Sequence, residues 1–118
     1  MFLAWCIKNK LYGEFHAKES SKEINNIFEE NITGAEFLMN VCDEKFCEED
    51  LNSIGNDFAQ YYYSTKLFLD DYSDALGDNY ESLYEIDDTW ENFYTIAPII
   101  DQAFKVWISK NSPWCKIW

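Results

Sequence analysis

Helical periodicity is longest between Glu49 and Gly77, where Leu51, Ile54, Phe58, Tyr61, Phe68, Leu69, Tyr72 and Leu76 share one face, with Thr65 on the same line. The spacing predicts one helix of about seven turns. Glu48, Glu49 and Asp50 sit where its positive dipole end would be, and Gly77 is placed to supply a left-handed stop. Tyr63 and Leu67 lie off the stripe beside Asp70 and Asp74, so that side is either a second packed face or a wet binding face. The whole chain is expected to be organised around this helix.

The remaining pattern is also helical. Phe2, Leu3, Cys6, Ile7 and Leu11 form a first stripe that Gly13 would end. Ile24, Ile27 and Phe28 mark a short second helix over 20–31, with Ser20 or Ser21 as its cap. Thr33 and Glu36 have capping-box spacing ahead of Phe37, Leu38, Val41 and Cys42, so a third helix should start there. An acidic connection over 43–50 holds Phe46 as its one large apolar anchor. Tyr80, Leu83, Tyr84 and Ile86 fit either a short helix or an extended loop. Asp88 and Glu91 suggest another capping box before Trp90, Phe93, Tyr94, Ala97, Ile100, Phe104, Trp107 and Ile108. Pro98 cannot donate to the Tyr94 carbonyl, so a kink or two abutting helices are expected. Residues 110–118, with Trp114 and Trp118, read as an irregular tail. Strand and hairpin signals are poor. The fold class is all-α: one compact domain over 1–118, five or six helices around the long central one.

Composition supports a folded chain. The sequence has 118 residues, 47 % hydrophobic and 19 % aromatic, which is too apolar for disorder despite its charge. All nine basic residues are lysines, and the formal net charge is −13. From Asp43 to Glu91 there are fifteen acids against Lys45 and Lys66, so that half carries the entire net charge. Such a field disfavours nucleic acid and anionic membrane and accelerates encounter with a basic protein. No apolar run approaches membrane-spanning length. The apolar start at Phe2–Ile7 is too short for a signal peptide and lacks a basic region before it. Cytoplasmic location and reduced, mostly buried thiols at Cys6, Cys42, Cys47 and Cys115 follow as expectations.

Chemistry-bearing motifs are sparse. His16, the single histidine, follows a helix end and is expected to be a surface or capping residue. Cys42 and Cys47 have a spacing compatible with zinc only if two further ligands converge, with Cys6, Cys115 and His16 as candidates. Asp70, Asp71, Asp74 and Asp78 do not match a calcium loop in any register. There is no glycine-rich phosphate loop, serine elbow or dinucleotide fingerprint. No catalysis, metal or cofactor is expected.

Acids interleaved with aromatics are the most distinctive feature. The candidate partner-binding residues are Tyr63, Leu67, Asp70, Asp71, Asp74, Asp78, Glu81, Glu85, Asp87 and Asp88, with Tyr62, Tyr80 and Tyr84 among them. Aromatics would supply contact area and carboxylates would steer and pair with lysines or arginines. The plainer reading puts the tyrosines in the core and the acids in water.

FLAWCI at Phe2–Ile7, TGAEFL at Thr33–Leu38, CDEKF at Cys42–Phe46, EDLNSIGNDFAQYYY at Glu49–Tyr63, the Asp71–Tyr72 pair and SLYEIDDTWENF at Ser82–Phe93 together resemble a family of small acidic bacterial proteins of unknown function. The resemblance spans nearly the whole chain. It implies an all-helical fold, and some such small acidic proteins look like immunity proteins encoded beside toxins. With the net charge concentrated over 43–91, the expected function is a non-catalytic inhibitor that binds a basic toxin domain, such as a nuclease, through the acidic side of the long helix and the connection over 78–88. Members of that family carry a further segment ahead of the FLAW helix, whereas this chain starts at Met1. The alternatives are a metal-binding or enzymatic domain using Cys42, Cys47 and His16, and a structural homo-oligomer packed through Tyr63 and Leu67. A monomer or a homodimer fits either surface reading.

Overall fold

The computed structural model describes residues 1–42, 47–77, 82 and 85–111. Among the described residues seven α-helices follow one another: α1 (Phe2–Lys8), α2 (Glu14–Glu19), α3 (Ser21–Phe28), α4 (Gly34–Val41), α5 (Ser53–Tyr62), α6 (Leu67–Leu76) and α7 (Trp90–Asn111), with a 3₁₀ turn at Glu48–Asp50. Among the described residues there is no strand, only an isolated antiparallel bridge between Tyr12 and Leu51. The all-α, single-domain expectation holds. The expected tail at 112–118, Phe46, and the ambiguous residues Tyr80, Leu83 and Tyr84 lie outside the described residues.

The short α1 is the element enclosed on every side. Phe2, Leu3, Ala4, Trp5, Cys6 and Ile7 are all buried, the signature of a helix inside a core rather than on its surface. It packs against α3 and α4. Burial also pushes the Cys6 thiol pKa well above its ordinary value. The helix stops sooner than its stripe suggests, because Lys10 takes a left-handed φ of 60°. The Lys10 and Leu11 amides then bond back to the carbonyls of Ile7 and Cys6 at 3.0 and 2.9 Å.

That early stop has a long-range consequence. Residues 11–13 run extended beside 50–52: the Gly13 amide donates to the Asp50 carbonyl at 3.1 Å and the Asn52 amide to the Leu11 carbonyl at 2.7 Å. The two backbones lie so close that a Cβ on Gly13 would come within 2.6 Å of the Glu49 carbonyl oxygen. Gly13 is therefore no helix stop. It is the extended N-cap of α2, a helix that the periodicity did not reveal.

The continuous helix expected over 49–77 is divided in two. Its first residues are spent on the clamp to Leu11 and Gly13, and α5 begins only where the Asn52 side chain accepts from the Gly55 amide at 2.8 Å. Its middle breaks at 63–66, where the Thr65 hydroxyl donates to the Tyr61 carbonyl at 2.8 Å and competes with the helical ladder. The break re-phases the stripe. Leu51, Phe58, Phe68 and Leu76 are buried and Tyr72 is half-buried, whereas Ile54, Tyr61 and Leu69 are exposed, Ile54 and Leu69 to about half their surface. Tyr62, expected outside, is fully buried. Gly77 ends α6 with a right-handed φ of −79°, not a left-handed one.

Other boundaries follow local chemistry. The Thr33–Glu36 capping box is present, with both reciprocal bonds made. Ile24 and Ile27 of α3 are buried, while Phe28 of the same expected stripe is 38 % exposed. Helix α7 runs through Pro98 as a single element. Pro98 and Tyr94 are both solvent-exposed, so water can satisfy the carbonyl the ring leaves without a donor. Its cap is Thr89, whose hydroxyl accepts from the Asn92 amide at 3.1 Å, not Asp88. α7 packs on α5 and α6.

Phe58 is the centre of the aromatic core. Its ring stacks on Tyr62 at 5.2 Å and meets Phe104 edge-on at 4.9 Å, with Trp107, Trp5 and Phe2 at 5.4, 5.5 and 6.0 Å. Helices α1 and α7, distant in sequence, thus converge on one residue of α5.

Candidate functional site

Two regions carry chemistry beyond packing: a buried polar cluster under α2 and an acidic, partly apolar face on α5 and α6.

The cluster forms because α2 is amphipathic inward. His16 is fully buried, contrary to its expected surface position, and lies between the ring edges of Phe15 and Phe37, each 5.2 Å away. Its Nδ1 is 3.0 Å from the Ser20 hydroxyl one turn later. Ser20 is thereby diverted from capping α3, where it makes no side-chain cap bond. His16 Nε2 is 2.7 Å from Asp50 Oδ1, and Asp50 is only 5 % exposed. The same carboxylate oxygen is 3.3 Å from Cys42 Sγ, which lies 3.8 Å from His16 Nε2. Asp50 Oδ2 accepts from the Cys47 amide at 2.7 Å.

The contacts are complementary in two protonation patterns. Either Nε2–H donates to Asp50 and Ser20 donates to Nδ1, or a doubly protonated imidazolium donates to both. Cysteine and aspartate both meet Nε2. In a nucleophilic cysteine triad they occupy opposite ring nitrogens, so that the imidazole relays between them. Here a nitrogen, an oxygen and a sulfur converge on one point. Cys47 contributes its amide and its side chain is exposed, so the structure groups His16 with Cys42 and Asp50 and not, as in the alternative reading, with Cys42 and Cys47. Sequence spacing could not have revealed Asp50, because its place beside His16 depends on the clamp between residues 11–13 and 50–52.

The described sequence-derived partner residues do not form one group. Tyr63 and Leu67 are 42 % and 41 % exposed, and Asp70 and Asp74 are exposed on the same face of α6 as Leu67. Tyr63 rests its ring on Phe2 at 4.9 Å, and partial burial raises its hydroxyl pKa above the ordinary value. Asp71 and Asp88 are instead engaged within the fold. Asp71 accepts from the Tyr62 hydroxyl at 2.5 Å, and Asp88 accepts from the Ala35 amide at 2.7 Å, at the N-terminus of α4. Both are half-buried. Glu85 and Asp87 are exposed beyond the end of α6, while Asp78 and Glu81 lie outside the described residues.

Beside Tyr63 is an open groove of about 370 Å³. Leu51, Ala59 and Tyr63 give it apolar walls, and Glu48 and Asp57 supply carboxylates. Neither acid is among the sequence-derived candidates: Glu48 reads with Glu49 and Asp50 as the acidic start of a helix, and Asp57 sits alone in its local pattern. The sequence profile of a domain of unknown function, DUF7832, matches residues 1–86. The chain belongs to this family. No curated protein and no solved structure matches the chain. The buried cluster, the groove and the exposed face of α6 all fall inside the span matched by DUF7832, whereas α7 lies beyond it. No helix among the described residues is long and apolar enough to cross a membrane.

Proposed function

We propose that this DUF7832 chain is a non-catalytic binding domain that captures a basic protein, in the manner of an immunity protein neutralising a basic toxin domain such as a nuclease. The observation that carries this reading is the joint exposure of Tyr63, Leu67, Asp70 and Asp74 on one edge of the molecule. Exposed apolar side chains provide area that gains from desolvation, and the carboxylates around them favour a lysine- or arginine-rich surface. The adjoining groove supports the same chemistry: the alkyl stem of a lysine or arginine suits Tyr63 and Leu51, and its charged head suits Glu48 or Asp57. The net charge of −13 adds long-range steering.

Co-expression with the product of the adjacent gene, followed by co-purification at physiological salt, tests the proposal. A basic partner should be retained. The double variant Asp70→Lys/Asp74→Lys should then slow association by roughly tenfold or more, with the circular dichroism of the fold unchanged. An unrelated neighbour with no retained basic protein defeats the reading, and an unchanged association rate removes these two acids from the interface.

A further inference from the structure

We infer that His16, Asp50 and Cys42 form a mononuclear zinc site, with His16 Nε2, Asp50 Oδ1 and Cys42 Sγ as protein ligands and water in the fourth position. The three atoms lie within 4.8 Å of one another and offer the nitrogen, oxygen and thiolate donors that suit Zn²⁺. Zinc bond lengths of about 2.0–2.3 Å at tetrahedral angles require ligand separations of about 3.3–3.6 Å. The S–O and S–N separations, 3.3 and 3.8 Å, are already near this range. The N–O separation is 2.7 Å, a hydrogen-bond length, and would open by about half an ångström as the metal replaced the shared proton.

The outer contacts are those a zinc site needs. His16 Nδ1 is held by Ser20 at 3.0 Å, which can fix the tautomer that leaves Nε2 a lone pair. Asp50 Oδ2 is held by the Cys47 amide, leaving Oδ1 for the ion. His16 and Asp50 are fixed in a dry setting, while Cys42 is half-buried and supplies the side from which an ion and a water can enter. Binding balances in charge: the Cys42 thiol proton leaves to solvent, the Nε2 proton leaves with it from an imidazolium or moves to Nδ1 in a neutral ring, and one thiolate and one carboxylate neutralise Zn²⁺.

Protein purified without a histidine tag and stripped with chelator is titrated with Co²⁺ and then Zn²⁺. The expected result is one metal ion per chain, a thiolate-to-cobalt charge-transfer band in the near ultraviolet, displacement of Co²⁺ by Zn²⁺, and a raised Tm with saturating Zn²⁺. Cys42→Ala, at a half-buried position, should abolish the band, Ser20→Ala should weaken Zn²⁺ binding by roughly tenfold, and Cys47→Ala should keep band and affinity. Absence of the band in wild-type protein, or its survival in Cys42→Ala, overturns the assignment. The basic-partner proposal is untouched by either result, because the observation that carries it is the exposure of Tyr63, Leu67, Asp70 and Asp74.

Discussion

Phe58 and His16 are both fully buried, and the cluster around each ties together segments far apart in the chain. They do so by different forces. Phe58 is held by non-directional contact with the rings of Phe2, Trp5, Tyr61, Tyr62, Phe104 and Trp107, so its energy depends on filled volume. His16 is held by directed contacts to Ser20, Asp50 and Cys42, so its energy depends on every polar partner being present. The first design resists small displacements and is damaged by lost atoms. The second is damaged by lost partners of any size, and it is the only one of the two that could exchange a proton for an ion.

The sharpest way to break this contrast is to remove volume from the first cluster. Phe58→Ala should destabilise the fold by about 3–5 kcal/mol in urea unfolding, the largest single effect expected in the molecule. Phe58→Leu should cost clearly less. A similar cost for both would mean that the rings do not act through volume.

The next effect tests whether the polar cluster acts as a unit. Asp50→Ala leaves His16 Nε2 and the Cys47 amide without their acceptor and should cost about 2–3 kcal/mol in metal-free protein. Combined with His16→Ala, the loss should fall short of the sum of the single losses by about 1 kcal/mol or more. Simple additivity would reduce the cluster to independent contacts.

Tyr62→Phe gives the smallest effect and probes a residue that belongs to both designs, ring in the core and hydroxyl on Asp71. It should cost about 1 kcal/mol at neutral pH. Burial, followed by the hydrogen bond to Asp71, raises the Tyr62 pKa above its ordinary value. The unfolded chain therefore loses this proton first. Stability is fully present below about pH 10 and falls as pH rises beyond it, and Tyr62→Phe should flatten that fall. An unchanged alkaline limb in the variant would assign the loss to other groups.

A third environment, at the far end of α1, shows how closely apolar and polar contacts can be combined. The Lys8 ammonium lies 2.9 Å from Glu30 and 4.7 Å from the centre of the Trp90 ring, and Tyr94 donates to the same carboxylate. Desolvation alone would lower the Lys8 pKa, but the hydrogen bonds to Tyr94 and Glu30 outweigh it and raise it. Glu30 moves the opposite way, held low first by Tyr94 and then by Lys8.

How far each feature could be read from the sequence follows from the range of the interactions that make it. The Thr33–Glu36 capping box, the α1 stripe, Ile24 and Ile27 of α3, and the apolar face of α7 are set within a few residues, and the sequence alone determined them together with the all-α class and the acidic middle of the chain. Local pattern is enough there because helix hydrogen bonds and caps close over three or four residues. The division of 49–77, the burial of Tyr62, the inward turn of His16 and its meeting with Asp50 and Cys42 were decided by tertiary structure. Each depends on the contact of residues 11–13 with 50–52, or on Thr65 diverting carbonyls from a ladder the hydrophobic pattern would have continued. An amide that bonds across roughly forty residues leaves no periodic trace in its own neighbourhood, so only the folded chain shows where the helix must stop and which acid is taken inside.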